Sequence, residues 1–161
     1  MKKTVALVLC LVALMAFSAS SAQAAGPLNF YIRGGILIPC TSGFAPYYGL
    51  AGANLDLNLG RLSISPECDI QIENLLDFTF SDVSLLPGVI LNINLANFYI
   101  GAGLVQPIRL IAGLDPIKPW LNIKANAGIK LGGFKLQLFG LDTIENFLDH
   151  IMVGATLGAG F

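Results

Sequence analysis

The chain has 161 residues, 55% apolar and 12% charged, with nine Lys and Arg against ten Asp and Glu, and its mean hydropathy is +0.72. That charge balance offers no basic footprint for nucleic acid, and one histidine with three cysteines gives no metal-site spacing. So apolar a chain suggests membrane helices, yet beyond the N-terminus no apolar run reaches the ~20 residues of a helical span, which excludes a helical membrane protein.

Residues 1–25 read as a secretory signal peptide. Lys2 and Lys3 open it, an apolar run extends from Thr4 to Phe17, and a small-residue stretch ends Ala22-Gln23-Ala24-Ala25 in an A-x-A cleavage pattern. Lipidation at Cys10 is rejected because Leu9 precedes it, inside the apolar run. The mature chain, 26–161, is one domain by length. Without Lys2 and Lys3, seven basic residues face ten acidic ones. Cys40 and Cys68 remain, in an oxidising compartment. Export favours a disulfide and the strand register opposes one, so both possibilities stand.

The mature chain alternates with a period of two. Ala51, Ala53, Leu55, Leu57 and Leu59 alternate with Gly52, Asn54, Asp56 and Asn58, which predicts a strand with one apolar and one polar face. Leu62, Ile64, Ile70 and Ile72 alternate with Ser63, Ser65, Asp69, Gln71 and Glu73. The pattern returns at Val89–Leu95, at Leu121–Leu131 and at Ile151–Phe161. Pro66 interrupts it and predicts a bulge or a displaced third strand. Pro87 and Pro107 fall near strand ends.

Three two-residue turns, Gly60-Arg61, Ala96-Asn97 and Gly132-Gly133, each lie between apolar residues and recur every 36 residues. Across each, the apolar face switches from odd to even numbers, as a two-residue hairpin requires. Four hairpins follow, roughly 26–59, 62–95, 98–131 and 134–161, hence eight strands. The intervening connections, near 41–43, 77–82, 113–119 and 142–149, are longer and hold Gly, Pro and acidic residues. Short turns at one end and longer loops at the other fit a barrel that spans a membrane.

A soluble barrel would turn its apolar face inward. Three features oppose that here: a polar face rich in Gly and Asn, an apolar face almost free of charge, and aromatics gathered at two levels. Phe30, Phe98, Phe134 and Phe161 lie by the tight turns or termini. Phe44, Tyr47, Tyr48, Phe78, Phe80, Trp120 and Phe147 lie near the longer loops. Two aromatic belts mark a membrane-spanning sheet. The predicted fold is all-β, an eight-stranded antiparallel up-and-down transmembrane β-barrel.

The final strand, Val153-Gly154-Ala155-Thr156-Leu157-Gly158-Ala159-Gly160-Phe161, resembles the C-terminal sorting signal of bacterial outer-membrane barrels. The whole mature chain resembles the small eight-stranded barrels of the outer-membrane protein X, W and A-domain type. The resemblance implies an outer-membrane location after signal cleavage, surrounding outer-membrane lipid, and the barrel insertion machinery and periplasmic chaperones as partners. It makes Phe161 the assembly signal. The expected function is non-enzymatic, in envelope structure or surface contact, with no cofactor. Binding or transport of a small apolar molecule in the outer membrane is an alternative, as is a soluble periplasmic lipocalin-like carrier.

Alternation sends Arg33, Asp56, Glu67, Asp69, Glu73, Arg109, Lys124, Lys130 and Lys135 into the lumen. Buried charges must be paired, so these predict a salt-bridge network. An ion path is the sharper reading, and the narrow bore of eight strands opposes it. His150, beside Asp149, is the one histidine that could serve a catalytic site. Lipid A deacylases resemble this architecture and use a His-x-Ser pair, but Met152 stands where that serine would be. Palmitoyltransferase-like barrels use His, Asp and Ser, and no serine is close to Asp149 and His150 in sequence. His150 therefore reads as a loop residue.

Overall fold

The computed structural model describes residues 27–40, 47–73, 83–110, 115–116, 121–145 and 148–161. The expected signal peptide lies outside the described residues, as do Phe44, Phe78, Phe80, Trp120 and Phe147. Ten strands follow in order: β1 (Leu28–Pro39), β2 (Tyr48–Leu59), β3 (Leu62–Glu73), β4 (Val83–Leu95), β5 (Phe98–Val105), β6 (Ile108–Arg109), β7 (Asp115–Pro116), β8 (Asn122–Leu131), β9 (Phe134–Thr143) and β10 (Met152–Gly160).

Eight of them close a ring. Each long strand pairs antiparallel with the next, and β10 pairs with β1 from Tyr31↔Gly160 to Pro39↔Met152. Among the described residues, closure leaves each of the eight ring strands paired on both sides. At the turn end it is completed by Phe161 N–H donating to the Phe30 carbonyl at 2.9 Å and Gly160 N–H to the Gly133 carbonyl at 2.6 Å. Paired neighbours followed once around from Leu28 run through Leu57, Ile64, Leu91, Ala102, Ala125, Gly140 and Val153. They return to β1 at Ile38, ten residues along. This stagger tilts the strands, typically by roughly 35–45°, around a bore that side chains can fill.

The three tight turns are built alike. In each, the first turn residue alone has positive φ: Gly60 at 72°, Ala96 at 56° and Gly132 at 60°. That is a type II′ geometry, matched to the twist of the strands it joins. Ala96 carries a Cβ in this left-handed region, at a cost of about 1–2 kcal/mol. Ala96→Gly should relieve the strain and lose part of the gain to chain entropy, for a net stabilisation of about 0.5–1 kcal/mol. A urea midpoint that rises in A96G checks this.

Pro66 sits in β3 without a bulge. The register of β2 with β3 is the same on both sides of it, Asn54↔Glu67 and Leu57↔Ile64. Only the pairs between these lapse, while the ladder to β4 runs through Pro66↔Val89. The missing donor therefore costs one local interruption rather than a shift of register. Pro107 marks a real break, separating β5 from the short extension β6, which keeps the same register against β4.

The outward positions of the eight long strands are aliphatic, aromatic or small, with Cys68 and Pro66 among them, and carry one charged residue. That residue is Asp142, at the outer end of β9. It is buried and accepts from the backbone N–H groups of Thr143 and Leu148 at 2.8 and 2.6 Å. Leu28, Phe30, Leu59, Leu62, Leu95, Phe98, Leu131, Phe134 and Phe161 form an exposed band at the tight-turn end. The polar side chains point the other way. A β-strand puts alternate residues on opposite faces, so odd positions in β1, β3, β5 and β9, and even ones in β2, β4, β8 and β10, share the lumen.

Candidate functional site: the barrel lumen

The lumen is layered along the barrel axis. Nearest the tight turns is a triad around Asp56 of β2. Its carboxylate meets Lys135 at 2.8 Å and Lys130 at 2.9 Å, and accepts from Asn54 Nδ2 and Ser65 Oγ, each at 2.7 Å. Asn92 Nδ2 donates to Ser65 at 2.8 Å, and Lys130 to Asn94 at 3.2 Å. Lys135 lies 5.2 Å from the Tyr31 ring centre and 5.0 Å from that of Tyr99, within cation–π range.

A quartet occupies the middle. Arg33 grips Asp69 through two parallel bonds, Nε to Oδ1 at 2.7 Å and Nη2 to Oδ2 at 2.6 Å. This fork is the strong arrangement for a guanidinium and a carboxylate. The same Nη2 lies 2.8 Å from Glu67, and Nη1 donates to Gln137 at 3.1 Å. Lys124 completes the set, 2.5 Å from Glu67 and 4.2 Å from the Phe139 ring centre. The quartet is neutral as a group. The triad carries one surplus positive charge.

The third layer, toward the longer loops, is apolar. Leu37, Leu50, Leu86, Ile90, Val105, Phe139 and Leu141 are buried together, with Tyr48 and Met152 packed against them. The layers fit because glycines stand beside the large inward side chains. A Cβ at Gly128 would strike the Tyr99 ring, and one at Gly154 the Phe139 ring, so each ring lies where only a glycine neighbour leaves room.

Seven of the nine residues that alternation sends inward meet in this network: Arg33, Asp56, Glu67, Asp69, Lys124, Lys130 and Lys135. Two do not. Arg109 is exposed on β6, beyond the break at Gln106-Pro107 and opposite Ser84. It has the inward parity, but the strand has risen past the packed lumen there. Glu73 is half-buried at the outer end of β3, opposite Tyr48, and no ion pair joins it to the network. The apolar layer was not anticipated. Its signal is a lapse of alternation, in Ile36-Leu37-Ile38, Leu85-Leu86 and Val89-Ile90-Leu91, where both faces of a strand are apolar.

Cys40 and Cys68 are not bonded to each other. Cys68 faces outward on β3, whereas Cys40 follows β1 and is tied through its N–H to the Ile151 carbonyl, with β2 between the two strands. His150 is exposed just before β10. Among the described residues, no group of three His, Cys, Asp or Glu side chains is placed to hold a metal ion.

No family model matches the chain. No curated protein matches it either. Among solved structures, the N-terminal β-barrel domain of Pseudomonas aeruginosa OprF is similar over 83% of this chain and 97% of that one, with 14% identity and a TM-score of 0.46. Strand number, closure and stagger are fixed by the pairings of this chain itself.

Proposed function

We propose that the protein is an integral outer-membrane barrel that acts non-enzymatically, in envelope structure or surface contact, with a lumen that does not conduct. The observation that carries this reading is the inversion of polarity across the wall. Seven charged side chains lie inside, and the outside is an exposed aliphatic surface whose one strand charge, Asp142, is buried. A soluble carrier would have the reverse arrangement, because a large exposed apolar surface drives association in water. Binding of a small apolar molecule within the barrel has less support, since the apolar layer of the lumen is packed with the chain's own side chains.

Fractionation tests the reading. The mature protein should sediment with outer membranes and migrate differently on gels before and after heating. Recovery in the soluble periplasmic fraction would instead favour a carrier. Phe161 should act in assembly. Its side chain is exposed at the tight-turn end while its N–H ties β10 to β1. Deleting it should leave export intact and strand the chain in the periplasm with chaperones. Outer-membrane levels unchanged by the deletion would remove Phe161 from that role.

A further inference from the structure

We infer that the barrier to ions in this barrel is the apolar layer of its outer third, and that the packed, charged lumen beneath it is approached by water only from the tight-turn end. The inference rests on the membrane reading above and concerns which layer seals the bore.

Five of the eight ring strands contribute to the septum: Leu37 from β1, Leu50 from β2, Leu86 from β4, Val105 from β5 and Leu141 from β9. It lies directly on the outer side of the quartet. Leu141 is the strand partner of Lys124, Leu86 is that of Asp69, and Leu37 stands four residues beyond Arg33 on β1. Each is at most 6% exposed. Exposure in the charged layers is asymmetric. The Lys130 side chain is 19% exposed, while those of Asp56, Lys135, Lys124 and Glu67 are at most 4%, so water reaches Lys130 at the turn end and is excluded from the charged groups beyond it.

The two kinds of layer oppose an ion differently. A salt-bridge network supplies charged and hydrogen-bonding groups that can exchange partners with a passing ion. The five aliphatic side chains supply none, and Gln71, the strand partner of Leu50, and the buried Asn122 are the polar groups at that level, and so an ion would have to shed most of its water there with little compensation. In a bore that side chains already fill, the septum is therefore the higher barrier, and neutralising the ion pairs beneath it does not open a path.

The test has two arms. In detergent micelles, the folded barrel is treated with a small water-soluble lysine acetylating reagent. Lys130 should react at least about tenfold faster than Lys124, the usual signature of differential protection. In the variant Leu86→Ser/Val105→Ser/Leu141→Ser, Lys124 should become reactive. In planar bilayers, the native barrel and Glu67→Gln/Lys124→Met should be silent and the triple variant should give discrete conductance steps. Rapid acetylation of Lys124 in the native barrel would overturn the inference. So would conduction by the Glu67/Lys124 variant, or silence from a triple variant that keeps its folded gel migration. The micelle arm does not depend on the membrane reading, and so a chain that fails to insert into bilayers counts against that reading while the labelling still decides the septum.

Discussion

Lys124→Ala should destabilise the folded barrel by about 3–5 kcal/mol, the usual cost of removing one partner of a well-buried ion pair. The side chain is 2% exposed and lies against Glu67. Its loss leaves the Glu67 carboxylate shared with Arg33 alone, and it removes the cation held over the Phe139 ring. Asp69→Ala should act similarly, because it breaks the two-bond grip on Arg33. Asp149→Ala, in the exposed segment before β10, should change stability by no more than about 0.5 kcal/mol. Replacing both partners, as in Glu67→Gln/Lys124→Met, should cost less than the two single changes added together, with a coupling of about 0.5–3 kcal/mol. Urea titrations of the refolded barrel, read by the shift between folded and unfolded gel migration, measure all of these. Additive single and double variants would mean that the contacts seen here are not energetically coupled.

Val89→Arg should impair insertion by about 2–4 kcal/mol, and Leu95→Arg by about 0–1 kcal/mol. Both side chains point outward from β4 and are more than half exposed. They differ in depth, with Val89 at the middle of Val83–Leu95 and Leu95 at its tight-turn end. In water the two substitutions would be equally harmless, since an arginine on an exposed strand face is solvated wherever it stands. A graded cost along a single strand is therefore a property of the lipid and not of the protein. Equilibrium folding into vesicles of both variants gives the two costs on one scale.

The parts of this fold that could be read in the sequence are those fixed by local geometry. A two-residue hairpin forces the switch from odd to even numbering, so Gly60-Arg61, Ala96-Asn97 and Gly132-Gly133 set both the strand count and the inward parity. That parity alone places Asp56, Glu67 and Lys124 in the lumen. Contacts across the bore were less legible, because they depend on stagger. Lys124 of β8 meets Glu67 of β3 only because the ring closes around them, whereas Arg33 and Asp69 meet across Gly52, the strand partner of both. The same stagger separates Arg109 from residues that share its parity. The apolar septum was obscured for a different reason. Equating apolar with outward assigns Leu37 and Ile90 to lipid, although their neighbours Ile36, Ile38, Val89 and Leu91 are the residues with outward parity. At Pro66 a missing donor predicts a bulge or a displaced strand, whereas β3 absorbs it between two segments in the same register.

Ile90 shows most sharply whether the wall of this barrel separates lipid outside from a packed lumen within. It is as apolar as its neighbours and yet only 1% exposed, on the inward side of β4. The protein is reconstituted in vesicles that contain a lipid with a carbene-generating group midway along its acyl chain, and labelled residues are mapped by mass spectrometry. Label should appear on Val89, Leu91 and Leu138 and spare Ile90 and Phe139. Labelling of Ile90 to the level of Val89, or a chain that takes no label while bound to the vesicles, would mean that this wall does not divide lipid from lumen.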